Sequence, residues 1–126
     1  MVGLVSFLLI IIAAFCNAVM DTCNYHFYNS IFSNKDRFNP QFWNTSISWQ
    51  NKYIDYKKPE LGYKKLFWII NYPVQLTDSW HLFKTIMIFS LIGAIIFYQP
   101  IFGNWDFIVL GCLWNFTFTF FYKIIF

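Results

Sequence analysis

Hydrophobic positions gather into three long runs, residues 1–20, 85–105 and 107–122, none of which contains a formally charged side chain. Each run is mostly apolar, and a helix of about 20 such residues is long enough to cross a hydrocarbon core of roughly 30 Å. The polar positions concentrate between the runs. Of fifteen charged side chains, thirteen lie from Asp21 to Lys84, and only Asp106 and Lys123 fall outside. The pattern predicts an all-α membrane protein: a single membrane domain with three transmembrane helices, over about residues 3–32, 77–98 and 105–125, and an aromatic-rich loop over about residues 34–76.

Local signals refine these bounds. Nothing breaks the first helix before Asn34, so it is expected to reach Phe32. At 1.5 Å per residue, Asp21 then lies about 27 Å from Gly3, near the far edge of the hydrocarbon. Thr77 or Asp78 can cap the second helix. Ser90, Gly93 and Ala94 offer it a small surface for close packing. Pro100 and Gly103 mark a tight turn before the third. Pro40, Pro59 and Pro73 interrupt the long connection. Within it, residues 61–72 mix Lys64 and Lys65 with Leu66, Phe67, Trp68, Ile69 and Ile70, which reads as an interfacial segment lying on the membrane, for which a helix is one form, with a buried strand or irregular loop as the alternative.

Composition supports the membrane reading. The 126 residues are 58% hydrophobic and 12% charged, against about 25% charged in soluble domains. A secretory signal is disfavoured at the N-terminus, because no basic segment precedes the apolar run and that run exceeds the roughly 7–15 residues of a signal core. The three cysteines, Cys16, Cys23 and Cys112, form no CxxC pair and read as buried thiols. The net charge of +3 is too modest to imply nucleic-acid binding and is better explained by orientation. Seven of nine basic residues lie in the first connection, whereas the opposite one holds only Asp106. Positive-inside logic puts the loop and the C-terminus in the cytoplasm and the N-terminus outside. Trp43, Trp49, Trp68 and Trp80 would line the cytoplasmic interface and Trp105 the outer one. Eight Lys to one Arg, with abundant Phe, Ile, Asn and Tyr, suits an AT-rich genome. A bacterial inner membrane, with the chain encoded by a bacterium or phage, is the expected location; an organelle inner membrane is the alternative.

Each predicted span carries one polar stripe at helical spacing. The first holds Asn17, Asp21, Asn24 and Tyr28; the second Asp78, His81 and Thr85, with Lys84 alongside; the third Cys112, Asn115, Thr119 and Tyr122. Polar groups in a bilayer are expensive unless they pair or reach water, so the stripes are expected to face one another around a polar pocket at the cytoplasmic surface. Asp21 or Asp78 would serve there as a base, His81 as acid or base and Lys84 as a phosphate clamp, with an inner-leaflet head group as substrate. The cofactor is open, and a divalent metal is the candidate. Asp78 and His81, three apart, can converge on an ion with Asp21 or His26 as a further donor. Asp21 and His26 themselves point about 140° apart on an ideal helix, so one ion does not take all four. The bland alternative makes Asp78 a helix cap paired with His81 and lets Lys84 extend to the interface.

Several short strings carry a resemblance: AVMDT at residues 18–22, His26-Phe27, Ser30-Ile31-Phe32, FWN at 42–44, SWQNKY at 48–53 and TDSWHLFK at 77–84. Together they resemble small uncharacterised multi-pass membrane proteins of Bacteroidetes-type bacteria and their phages, over about residues 18–84. That group implies no reaction. The resemblance does imply that Asp21, His26, Trp49, Asn51, Lys52, Asp78, Trp80, His81 and Lys84 belong to one site, with SWQNKY folded over it. Two function classes remain. One is a membrane protein whose cytoplasmic-face pocket binds or processes a polar ligand, lipid head group or metal. The other is an accessory or structural subunit, or a phage holin-like oligomer, without catalytic activity. The partners expected are the lipid bilayer and either further copies of the chain or a larger membrane complex.

Overall fold

A computed structural model of the chain describes residues 2–126 except Trp68, and of Val2 only the backbone. Trp68, expected at the interface, therefore lies outside the described residues. Five α-helices follow in order: α1 (Val2–Tyr25), α2 (Pro40–Trp43), α3 (Thr45–Ser48), α4 (Ser79–Ile96) and α5 (Asp106–Phe120), the last running into a π-helical turn, Phe121–Ile125. Two short strands, β1 (Lys65–Leu66) and β2 (Ile70–Asn71), lie between α3 and α4. Three helical stretches, Gly3–Tyr25, Ser79–Ile96 and Gly103–Ile125, are long and apolar enough to cross a membrane. The chain is an all-α membrane protein. It forms two compact units, one of Met1–Val19 with Phe83–Phe126 and one of Met20–Leu82, and α1 and α4 contribute residues to both.

In the first unit α1 and α4 run antiparallel. The Ser6 hydroxyl donates to the Ala94 carbonyl at 3.0 Å, a Cβ placed on Gly93 would lie 3.0 Å from Leu9 Cδ1, and Phe15 meets Phe83 edge-on at 6.1 Å. Ser90 is buried beside this contact face, so the small surface does pack a helix. Phe15 also makes edge contacts with Phe121 at 4.8 Å and Phe126 at 5.9 Å. Few residues of α4 or α5 are buried. Phe89, Ile95, Ile96, Phe107, Phe116 and Ile124 are all more than two-thirds exposed. In water they would form an apolar surface far larger than soluble proteins leave open; in a bilayer they are the lipid-facing surface. The turn before α5 is organised by Asp106, which is buried. Its carboxylate accepts from the Ile101 and Phe102 amides at 3.0 and 2.9 Å and from the Tyr98 hydroxyl at 2.9 Å. The lone acid of this connection is a structural clasp.

The second unit departs from expectation twice. First, α1 stops at Tyr25, short of Phe32. The His26 amide still donates to the Thr22 carbonyl at 2.9 Å. Beyond it the Ser30 hydroxyl donates to the Phe27 carbonyl at 2.8 Å and accepts from the Phe32 amide at 3.3 Å, and two 3-10 turns replace the helix. Local side-chain hydrogen bonds of this kind compete with helix continuation. Tyr28 consequently leaves the stripe shared by Asn17, Asp21 and Asn24. Second, the segment over residues 61–72, for which an interfacial helix is one expected form, is a β-hairpin. Lys65 pairs with Asn71 and Leu66 with Ile70 in antiparallel register. The Lys64 amide donates to Lys52 O at 2.9 Å, and Lys64 O accepts from the Tyr72 amide at 2.7 Å, so residues 52–54 extend the ribbon through a Tyr53–Tyr63 bridge. Pairing with a neighbouring segment satisfies backbone groups that a short isolated helix would leave open at both ends.

The unit is held by aromatic stacking and capped turns. Phe32 lies flat on Trp43 at 4.6 Å, and Phe38 meets both edge-on. Trp43, assigned to the membrane interface by its position in the sequence, is thus part of this cluster. Asn39 and Asn44 cap α2 and α3 by accepting from the Gln41 and Ser46 amides, each at 3.0 Å.

Candidate functional site

The site is built from the end of α1, the α3 turn and the start of α4, all within the Met20–Leu82 unit. Asp78 precedes α4, where four amides lack helical partners. Its Oδ1 accepts from the His81 amide at 2.8 Å, the geometry of an N-cap. Its Oδ2 contacts His81 Nδ1 at 2.7 Å and accepts from the Thr77 hydroxyl at 3.3 Å. The three-residue spacing brings cap and imidazole onto one side of the first turn. A carboxylate only accepts, so the short contact places a proton on Nδ1; in the neutral ring Nε2 is then an acceptor, and in the charged ring a donor. The Asp78 side chain is 5% exposed and that of His81 40% exposed. The pair therefore has a buried anchor and an accessible end.

Around it lies a cleft of about 210 Å³, lined by Asn24, Thr45, Ser48, Trp49, Asp78, Trp80 and His81. Trp80 meets the imidazole edge-on at 5.0 Å. The Thr45 hydroxyl donates to the Cys23 carbonyl at 3.1 Å, tying α3 to α1. The Trp49 indole N–H donates to the Ser46 carbonyl at 3.0 Å, which orients its ring. Ser48 and Cys23 are each only 1% exposed, so neither is an accessible nucleophile. Chemically the cleft is lined by an imidazole and its carboxylate, an amide, two hydroxyls and two indoles.

The residues singled out in the sequence fall into groups. Asn24, Trp49, Asp78, Trp80 and His81 line this cleft. Lys84 follows one turn beyond His81 on α4 and is exposed. Asp21, half-buried on α1, and His26, exposed at its end, are not among the lining residues. Tyr28 accepts from the Asn44 side-chain amide at 3.3 Å. Asn51 donates to the carbonyls of Gln41 and Thr77 and, with Lys64, lines two further grooves of about 410 and 420 Å³. Lys52 lies over the Tyr53 and Tyr63 rings, 5.2 and 6.0 Å from their centroids. Asn115 and Tyr122 belong to the other unit, where Asn115 donates to the Gly111 carbonyl at 2.9 Å and Tyr122 stacks on Phe118 at 5.1 Å. Among the described residues no three His, Cys, Asp or Glu side chains gather closely enough to hold a metal ion. The donors in the cleft are one carboxylate and one imidazole, already bonded to each other. Thr45 and Ser48 are lining residues that sequence reasoning passed over. Their signal was the run of Asn, Thr and Ser at residues 44–48, which reads as caps and turns.

No family model, curated protein or solved structure matches the chain.

Proposed function

We propose that this is an integral membrane protein whose Asp78–His81 cleft binds a small polar ligand or the polar head group of a lipid, non-covalently, at the membrane surface. The supporting observation is the His81 imidazole, held by a buried carboxylate and accessible in a cleft that Trp49 and Trp80 also line. Indole walls suit a ligand that is part apolar and part polar, as a head group is. Asp78 is used twice over in holding the fold, and His81 is the more exposed member of the pair. We place the loop and this cleft on the cytoplasmic side of a bacterial inner membrane, on the strength of the lysine distribution.

A second reading is favoured by the same Asp78 contacts: a cap-and-clasp that serves folding alone, in an accessory subunit without a ligand. Native mass spectrometry of the detergent-purified chain separates the two. A ligand-binding cleft releases one co-purifying lipid or small molecule of defined mass from wild type. That species is lost in His81→Ala and Trp49→Ala and kept in the distant control Lys123→Gln. A bare chain mass in wild type, or a bound species indifferent to His81→Ala, overturns the binding reading in favour of the structural one.

A further inference from the structure

The β1–β2 hairpin presents an uncovered apolar tip at the end of a strand that carries Lys64 and Lys65. Phe67 is 78% exposed, Ile69 85% and Ile70 63%. Leu66 and Ile70 are cross-strand partners on one face, with Lys65 and Asn71 paired on the other. Five lysines against two carboxylates (Asp55 and Glu60) lie in residues 52–71. Lys57, Lys58, Lys64 and Lys65 are all exposed, and none of them makes an ion pair among the described residues. Phe67 also has a φ of 52°. A bulky L-residue is strained in that left-handed region, and its ring gains no burial from the rest of the chain to offset the strain. Backbone strain of this kind persists where function uses it.

The occupant follows from charge and tether. Anionic head groups attract lysines that flank apolar residues able to enter the head-group layer. Only seven residues separate Asn71 from Ser79, where a membrane-length helix begins. That tether is at most about 28 Å when fully extended, so a bilayer is always within reach of the hairpin. We propose that the hairpin is an interfacial finger that inserts Phe67, Ile69 and Ile70 into an anionic leaflet, while Lys64 and Lys65, in the strand that leads to the tip, bind its phosphates. This holds whether or not the Asp78–His81 cleft takes a ligand.

The test uses the full chain in nanodiscs, with Ile69→Cys in a Cys112→Ser background labelled with an environment-sensitive fluorophore. Cys16 and Cys23 are buried and escape labelling under native conditions. In discs of zwitterionic lipid with a third phosphatidylglycerol, the label emits to the blue. It is quenched several-fold less by acrylamide than in purely zwitterionic discs. Brominated acyl chains quench it directly. Substituting Lys64 and Lys65 with Gln together, or adding about 0.5 M salt to shorten the screening length to about 4 Å, returns it towards the zwitterionic value. A label open to acrylamide in both lipids overturns the finger. Insertion that ignores lipid charge overturns the anionic partner. Protection seen only when a disc holds more than one copy assigns the patch to self-association instead. Both lysines are exposed, so their replacement leaves the fold standing; an unchanged circular-dichroism spectrum checks this.

Discussion

Asp78 holds His81 at two points, accepting from its backbone amide at 2.8 Å and meeting its ring Nδ1 at 2.7 Å. One carboxylate thus starts a membrane-length helix and sets the tautomer of the only imidazole in the cleft. The two roles are separable by substitution. Asn caps a helix about as well as Asp, so Asp78→Asn is expected to change stability by less than about 0.5 kcal/mol, whereas Asp78→Ala loses about 1 kcal/mol. In nitrogen NMR the neutral His81 ring is protonated at Nδ1 in wild type and shifts towards the Nε2 form in Asp78→Asn. An unchanged tautomer would show that Asp78 serves α4 alone.

The interhelical contact of the first unit makes a graded prediction. Ser6→Ala removes its bond to the Ala94 carbonyl and is expected to cost about 0.6 kcal/mol, the usual worth of such bonds between membrane helices. Gly93→Ile drives a branched side chain against Leu9, already 3.0 Å from a bare Cβ, and is expected to cost about 1–3 kcal/mol. Steric-trapping measurements of unfolding in bicelles should rank the two in that order. Equal effects would remove the close α1–α4 approach.

Asp106 should be the least replaceable carboxylate outside the cleft. Asp106→Ala strands two amides and a phenol, so its melting temperature should fall well below that of the exposed-site control Asp36→Ala. Comparable melting temperatures would refute the clasp.

The same clasp has an alkaline signature. The hydrogen bond to Asp106 first, then burial and the nearby negative charge, hold the Tyr98 phenol above its usual value of 10.0. A raised folded value means the protonated phenol is favoured by folding. Its stabilisation is therefore complete below pH 10 and is lost as pH rises through the higher folded value. Wild type should lose more melting temperature than Tyr98→Phe across that window. Parallel losses would show that the contact contributes nothing.

Asn51 ties two segments by donating to the carbonyls of Gln41 and Thr77. Asn51→Ala leaves both acceptors short and is expected to cost about 1–2 kcal/mol. The local effect should appear as faster hydrogen exchange over residues 40–52, with no change in α5. Uniform acceleration would mean that Asn51 supports the whole chain instead.

Membrane character, the three spans and the cap at Asp78 were written in the sequence. Each depends on signals that are local or additive: run length, absence of charge, and a cap three residues from its amide. Neighbouring residues such as Asp78 and His81 meet because one turn of helix brings them together. What only the tertiary structure decided involves partners distant in sequence. The early end of α1 is the exception, since Ser30 bonds locally to Phe27 and Phe32 in a way that no periodicity reports. The lysine-flanked apolar run at residues 61–72 would satisfy the pattern of an interfacial helix, yet Lys64 finds backbone partners in Lys52 and Tyr72 and the run becomes a hairpin. Thr45 and Ser48 reach the cleft because Thr45 bonds to the Cys23 carbonyl, twenty-two residues away. The sequence by itself determined which residues enter the bilayer, because transfer from water to hydrocarbon sums over single side chains. Which polar residues share a cleft was decided by long-range hydrogen bonds, and those exist only once the chain has folded.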